Sequence, residues 1–433
     1  MSQAPHFQAA APVPKVSAAA TPAYAWYVLL VLTLVYMISF VDRYVLVGMV
    51  DIVRGDLGAS DTLMGFLIGP AFGILYICAG IPIAWLADRS NRVRILFAGC
   101  LMWSLFTVLS GFAQDATQLA LARVFVGVGE ACALAPSYSL LSDYFGRGQR
   151  AKAVAIYNLG IALGQVIGLA MGGVIAQKYG WRMAFLAVGL PGFALALLLR
   201  FTVREAQQGG LDERESSAPV TPPPFLQALG LLLRVPAFPF LCAGAALGGF
   251  AGMGFGFWGP TMFSRSFGLA PAEVGPVFGS ILGASSIVGA LSAGWLADRL
   301  GRRNPTMPLV ISATSIAGAT LLLWSLCAMP TAHLAYGFLG LTGILAGGWL
   351  SPIQATVQDM LPAELRAMGI AVLNFCIILF GITTSPQVVG LLSDLLAASH
   401  GQHALRQALV ITMSSGLVGA VLMLLASRRM ARR

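Results

Sequence analysis

Gly294-Trp-Leu-Ala-Asp-Arg-Leu-Gly-Arg302 repeats, 210 residues later, the segment Ala84-Trp-Leu-Ala-Asp-Arg-Ser-Asn-Arg92. The two segments follow the second and the eighth long apolar runs of the chain. A further match, 216 residues apart, follows the fourth and tenth runs. It pairs Asp143, Arg150 and Asn158 with Asp359, Arg366 and Asn374. Two matches in register predict two parallel repeats of six apolar runs each.

The apolar runs themselves have the length and composition of membrane spans. The 433 residues are 58% hydrophobic and only 10% charged, which is typical of a membrane protein. Each run is long enough to cross a hydrocarbon core of about 30 Å as a helix. The sequence therefore predicts an all-α membrane protein with twelve transmembrane helices in two six-helix repeats. The runs are 24–50, 62–87, 94–113, 117–142, 151–177, 183–201, 236–264, 273–297, 306–328, 333–357, 367–395 and 404–427.

Composition divides the chain into five parts. Residues 1–23, rich in Ala and Pro, are expected to be a disordered cytoplasmic tail. The N-terminal half is expected at 24–202 and the C-terminal half at 236–427, with a polar, Pro-rich cytoplasmic linker at 203–235 between them. A basic tail follows at 428–433. Within the linker, 225–234 has the pattern of a short amphipathic helix on the membrane surface.

The distribution of basic residues predicts the orientation. With the N-terminus in the cytoplasm, 19 of the 26 Lys and Arg residues lie in tails and inner loops and five in outer loops; the other two are Arg43 and Arg123. This is the positive-inside pattern. We therefore expect a protein of the cell (inner) membrane with both termini cytoplasmic and no cleaved signal peptide. The net charge of +9 is then a topology signal, which argues against nucleic-acid binding.

Four charged side chains lie inside apolar runs: Asp42, Arg43, Arg123 and Glu130. A charge at the bilayer centre costs about 2.5–3.5 kcal/mol on insertion scales, so such residues usually face an interior cavity. Two cations balance two anions. Because Arg stays charged whereas a carboxylate can take a proton, protonating Asp42 or Glu130 frees one guanidinium to bind a phosphate or carboxylate. The alternative is a static ion-pair network.

The C-terminal spans carry no charge of this kind and are aromatic instead. Phe255 and Trp258 on span 7 are candidates for binding an apolar part of a substrate, although such aromatic runs more often only pack. Charges in one half and an apolar wall in the other suit an amphipathic molecule. On span 5, Gly164-x-x-x-Gly168-Leu169-x-x-Gly172-Gly173 has glycines at four-residue spacing, and close helix packing is the favoured interpretation.

The repeated segment resembles the inner-loop signature of the major facilitator superfamily, although Ala84 and Asn91 replace its glycines in the first copy. An Asp at a helix end can bind the start and the Arg of a neighbouring helix and so close the cytoplasmic mouth. The resemblance implies this gating role for Asp88, Arg89, Asp298, Arg299 and Arg302. Span 5 is similar to the antiporter signature of the superfamily, but Leu169 stands where that signature has Pro, which weakens an inference of antiport.

Phe40-Val-Asp-Arg-Tyr44 and Gly127-Val-Gly-Glu-Ala131 resemble the spinster family of lysolipid and sphingolipid transporters. The resemblance implies proton coupling at Asp42 and Glu130 and headgroup binding by Arg43 and Glu130. Arg123, which matches by position, is a further candidate for headgroup binding.

We therefore expect a monomeric, proton-coupled transporter of an amphipathic lipid with an anionic or zwitterionic head. The alternatives are a transporter of small organic anions or drugs, and an uncoupled facilitator or a receptor. Besides the substrate, the expected partners are protons and membrane lipids. The sequence shows no nucleophile elbow, phosphate-binding loop or metal-ligand spacing, so we expect no enzyme, no metal and no cofactor beyond a proton gradient.

Overall fold

A computed structural model describes residues 22–87, 89–207 and 225–431. The predicted tail up to residue 21, most of the linker and residues 432–433 therefore lie outside the described residues. The N-terminal half consists of nine helices, some of which share one span. They are α1 (Pro22–Val45), α2 (Val50–Leu57), α3 (Asp61–Ile68), α4 (Pro70–Ala87), α5 (Arg92–Ser110), α6 (Ala116–Ala131), α7 (Leu134–Tyr144), α8 (Arg147–Tyr179) and α9 (Trp181–Thr202).

The remaining helices form the C-terminal half and its approach. The predicted amphipathic helix is present as α10 (Phe225–Arg234), and it packs against α11 and α16. A π-helical turn, Ile378–Thr384, joins α16 to α17. The other helices are α11 (Phe238–Phe267), α12 (Pro271–Gly301), α13 (Met307–Ala328), α14 (Ala332–Gly347), α15 (Leu350–Met360), α16 (Ala363–Ile377), α17 (Ser385–His400), α18 (Ala404–Met413) and α19 (Ser415–Ala431).

The twelve-span prediction is confirmed. Among the described residues, eleven helical stretches are long and apolar enough to cross a membrane. The last of them, Glu364–Ala431, has 68 residues. At about 1.5 Å per residue it is far too long for one crossing. It turns back at Gly401, whose φ of 50° places the backbone in the left-handed region, and α18 then packs along α17. This stretch therefore makes two crossings.

Local contacts repeat between the halves as the sequence matches predict. The Arg89 guanidinium lies over the Trp85 ring of its own half, and Arg299 lies over Trp295 in the other. Likewise, Arg150 donates to the Phe145 carbonyl at 2.9 Å, and its counterpart 216 residues later, Arg366, donates to the Leu361 carbonyl at 3.0 Å. The two halves thus share local structure as well as sequence.

The glycines of α8 form the contact surface for α1. A Cβ on Gly160 would lie 3.0 Å from the Thr33 carbonyl oxygen, and one on Gly168 would lie 2.7 Å from that of Val41. Helix backbones can approach this closely only where side chains are absent. The packing interpretation of the span-5 glycines is therefore confirmed. Because α8 holds α1 in place, it fixes the helix that carries Asp42 and Arg43.

Candidate functional site

All four charged residues predicted within the membrane meet in the N-terminal half. They form two ion pairs between α1 and α6. An Arg43 Nη lies 2.5 Å from a Glu130 carboxylate oxygen, and an Arg123 Nη lies 3.3 Å from a carboxylate oxygen of Asp42. The side chains are between 1% and 7% exposed. Charges this deeply buried persist only when paired, and here each cation has its own anion.

The glycines of α6 allow the site to form. Arg123 and Glu130 are seven residues apart and therefore share a helix face. Between them, Gly127 lies so close to the Phe72 carbonyl oxygen of α4 that a Cβ would overlap it. On the other side of α6, a Cβ on Gly129 would lie 2.7 Å from the Trp103 backbone nitrogen of α5. The two glycines thus bring α4 and α5 against the helix that presents the charges.

Aromatic rings surround the guanidinium of Arg43. Its central carbon lies 4.5 Å from the centre of the Phe72 ring, 4.7 Å from Phe40 and 5.3 Å from Tyr76. The guanidinium carbon of Arg123 lies 5.7 Å from the same Phe72 ring. Cations within about 6 Å of a ring centre are attracted to its negative face. The rings also replace water around the charges, which strengthens the ion pairs.

Each ion pair keeps unused hydrogen-bonding capacity. Within the described ranges, one carboxylate oxygen of Asp42 and one of Glu130 have no hydrogen-bond partner, and neither do the Nε atoms of Arg43 and Arg123. Buried polar atoms of this kind are rare, and they usually mark a place where a proton, a water molecule or a ligand binds. The site therefore has two free acceptor atoms and two free donor atoms deep inside the N-terminal half.

The two halves are joined at the end of the bundle opposite the chain termini, called here the distal end. Arg265 of α11 donates to Asp51 at 2.6 and 2.9 Å and to both oxygens of Asp61 at 2.6 and 2.8 Å. Ser393 of α17 also donates to Asp61, at 2.6 Å. Asp394 accepts hydrogen bonds from the start of α3. This set of contacts, the distal lock, is not part of the predicted site.

Phe255 and Trp258 lie in the C-terminal half, and both are buried. The Phe255 ring packs against Phe278, and the Trp258 indole donates to the Pro386 carbonyl at 2.9 Å. Neither ring is among those that contact Arg43 or Arg123 in the part of the chain that the structure describes. In this conformation the two aromatic residues support the closed distal end, and their role in substrate binding stays a prediction.

The predicted gating residues lie at the opposite end, which carries the termini and is called here the basic end. Asp298, Arg299 and Arg302 are exposed, and Arg89 contacts its own helix through the Trp85 carbonyl. No ion pair involves Asp298 among residues 22–87, 89–207 and 225–431. Asp88 lies outside the described residues. The gating contacts predicted from the repeated segment are therefore not formed by the described residues in this distally closed conformation.

A second buried arginine, Arg92, organises the basic end of the N-terminal half. It forms ion pairs with Asp143 of α7 and, at 2.6 Å, with Glu205 just after α9. It also donates to the Ala206 carbonyl at 2.7 Å. From the sequence, Arg92 is expected only as one of the inner-loop charges. These bonds fix the start of the predicted linker to its own half.

Comparison with known proteins agrees with this architecture. Residues 32–386 match the family model described as Major Facilitator Superfamily. An "MFS-type efflux pump" of Mycolicibacterium smegmatis is 33% identical over 95% of this chain and 94% of its own length. "Protein spinster homolog 1" of Xenopus tropicalis is 27% identical over 90% of this chain and 78% of its own length.

Among solved structures, the chain is similar to a bacterial homologue of the human lysosomal transporter spinster, in an inward-facing and unoccupied conformation. The TM-score is 0.87 and the identity 26%, over 95% of this chain and 98% of that one.

Proposed function

The chain belongs to the major facilitator superfamily, and we propose that it is a proton-coupled carrier of an amphipathic lysolipid or sphingolipid. That it is a membrane transporter and not an enzyme follows from the family and from its spinster relatives. The observation that carries the finer proposal is the pair of buried ion pairs, Arg43 with Glu130 and Arg123 with Asp42, in which each member keeps an unpartnered atom.

The proposed coupling follows from the chemistry of these pairs. A proton on Glu130 removes the anion that holds Arg43, and a proton on Asp42 does the same for Arg123. An anionic headgroup then becomes the partner of the freed guanidinium, which suits the two oxygens of a phosphate or carboxylate. Proton and headgroup would thus occupy the site together. Loss of the proton restores the internal pair and releases the headgroup.

The apolar part of the substrate would use the C-terminal half. Phe375 and Phe380, at the junction of α16 and the π-helical turn, are 44% and 42% exposed. Phe255 and Trp258 would become accessible when the distal end opens. A long apolar chain is favoured near such rings because burying it removes hydrocarbon from water. We propose that these four aromatic residues contact the tail while the arginines hold the head.

The distribution of charge supports the proposed orientation. The basic end carries the termini and most of the Lys and Arg residues, which favours a cytoplasmic location in the inner membrane. Closure at the distal end then corresponds to an inward-facing state, as in the spinster homologue of known structure. We propose that the chain acts as a monomer and alternates between this state and one closed at the basic end.

A second candidate is efflux of small organic anions or drugs. The observation that favours it is the relative from Mycolicibacterium smegmatis, an efflux pump that covers nearly the whole chain. The same two ion pairs would serve, because a carboxylate drug offers the same recognition chemistry as a lipid headgroup. The two candidates differ only in the apolar part of the cargo, and transport measurements separate them.

The test is uptake into proteoliposomes of a radiolabelled lysophospholipid, of sphingosine 1-phosphate and of a small organic anion, each with and without a pH gradient. We expect gradient-stimulated uptake of a lipid, lost in Glu130→Gln. Glu273→Gln is the matched control, because Glu273 is an exposed carboxylate in the first turn of α12. Uptake of the organic anion alone would favour the second candidate. Absence of counterflow for all substrates would favour a receptor, and counterflow without a gradient effect an uncoupled facilitator.

A further inference from the structure

We propose that Phe72 is a positioning residue that couples the charge site to the contact between the two halves. The proposal rests on the proposed function, since it explains how a change at the arginines reaches the C-terminal half. Phe72 is on α4, has no charge and is fully buried. Its ring lies within 6 Å of the guanidinium carbons of both Arg43 and Arg123.

The first step is the contact between this ring and the cations. In the described residues, Phe72 is the ring that both arginines share, since Phe40 and Tyr76 lie over Arg43 alone. The attraction of a ring for a cation grows when water is excluded. It also grows in importance when a carboxylate is neutralised, because the ring is then what remains next to the guanidinium. Phe72 therefore senses whether each arginine is paired.

The second step is the backbone on either side of the ring. A Cβ on Gly69 would lie 2.5 Å from the Thr383 carbonyl oxygen of the C-terminal half. Gly73, the residue after Phe72, touches the Thr383 side chain so closely that it too has no room for a Cβ. The five residues 69–73 thus contact the arginines through one side chain and the opposite half through two glycines. A displacement of this segment is felt at both places.

The third step is the nature of the opposing surface. Thr383 belongs to the π-helical turn Ile378–Thr384, in which the regular backbone hydrogen bonding of an α-helix is interrupted. Such turns occur often at functional sites. Gly381 in the same turn faces α11, since a Cβ there would lie 3.2 Å from the Gly249 carbonyl oxygen. The turn is therefore held between α4 and α11, where movement between the halves must pass.

The test is a double-mutant cycle on the conformational equilibrium, measured without substrate. Spin labels at Tyr179 and Gln402, exposed residues at the distal ends of the two halves, report the ratio of open to closed molecules. We expect Glu130→Gln to change this ratio, and Phe72→Leu to reduce that change by a coupling factor of about fivefold or more. Phe66→Leu, a partly exposed ring on α3 in the same span, is the matched control and should show no coupling.

A second variant protects the test against misfolding of Phe72→Leu. Phenylalanine with one, two or three ring fluorines at position 72 keeps the shape of the ring and weakens its negative face. The coupling factor should fall step by step with each fluorine. Equal effects of Glu130→Gln in all Phe72 backgrounds, or no effect of Glu130→Gln at all, would overturn the proposal.

This outcome is separable from that of the proposed function. Since no substrate is added, a wrong lipid assignment is detected in the uptake assay and does not alter the coupling factor. Conversely, a coupling factor of one would leave gradient-driven uptake and its dependence on Arg43 intact.

Discussion

The distal lock gives the sharpest prediction: Arg265→Gln should shift the protein strongly toward a distally open conformation. Arg265 belongs to the C-terminal half, whereas Asp51 and Asp61 belong to the N-terminal half. All the hydrogen bonds between Arg265 and these two carboxylates must therefore break when the distal end opens. Glutamine has a similar length but loses the charge and most of the donors.

The size of the effect follows from four N–H···O contacts of 2.6–2.9 Å. A hydrogen bond to a charged group contributes about 1.5–3 kcal/mol, but water replaces part of this in the open state. Arg265 and Asp51 are already 21% and 29% exposed, so the full sum is not lost. We expect a net change of about 2–4 kcal/mol, which corresponds to roughly a 30- to 1,000-fold change in the ratio of the two conformations.

The assay is pulsed electron paramagnetic resonance on labels at Tyr179 and Gln402, after replacement of the six native cysteines. Arg265→Gln should add a long-distance population that is minor in the parent protein. Arg182→Gln is the matched control: Arg182 pairs with Asp56 at 2.7 Å at the same end of the molecule, but both residues belong to the N-terminal half. This pair does not need to break during opening.

Two results would contradict this prediction. The distance distribution of Arg265→Gln could remain that of the parent protein, which would mean that the lock contributes nothing to closure. Alternatively, Arg182→Gln could shift the distribution as strongly as Arg265→Gln. In that case the effect would come from the loss of any positive charge at the distal end and not from the bonds between the halves.

Three further predictions concern the charge site, the basic end and the helix packing. Asp42→Asn should reach the membrane and retain exchange but lose stimulation by a pH gradient; accumulation as steep as in the parent protein would assign the proton elsewhere. Asp298→Asn should increase cysteine accessibility from the basic end more than Asp88→Asn, because only the second repeat has both signature glycines, and equal accessibility would remove the gating role. Gly168→Ala should lower thermal stability in detergent, by about 1–3 kcal/mol, whereas Gly80→Ala, where the new Cβ meets nothing within 4 Å, should not; equal melting of both variants would contradict the packing.

Much of the fold was predictable because the bilayer imposes simple rules. A span needs about 20 apolar residues in a helix, and the repeat fixes how the spans are grouped. The interruptions inside spans were not predictable. The break between α3 and α4 at Gly69 and the π-helical turn at 378–384 lie within apolar runs without any change of pattern. Both lie at the contact between the halves, and sequence periodicity carries no information about that contact.

The charged core of the site was predictable because a charge inside an apolar span is costly and is therefore usually retained for a function. The pairing was not: Asp42 and Arg43 point about 100° apart on one helix, so either arginine was a possible partner for Glu130. Phe72 gave no signal at all, since a phenylalanine in an apolar run is expected to pack.

The distal lock was missed for a different reason. Arg265 and Asp61 lie at the ends of spans, where charges are usually solvated, and they are 204 residues apart in the chain. The available signal was the concentration of three aspartates, Asp51, Asp56 and Asp61, in one short connection between spans.

The balance of two cations and two anions in the buried site has an electrical consequence. With both carboxylates ionised, the cluster carries no net charge, so the membrane voltage exerts little force on its movement. One added proton gives the cluster a charge of +1, and carrying that charge across the whole field costs or gains about 2.3 kcal/mol per 100 mV. A bound anionic headgroup would cancel it again. Under the proposed coupling, voltage would therefore act mainly on the protonated, empty carrier, and the loaded carrier would reorient almost without electrical work.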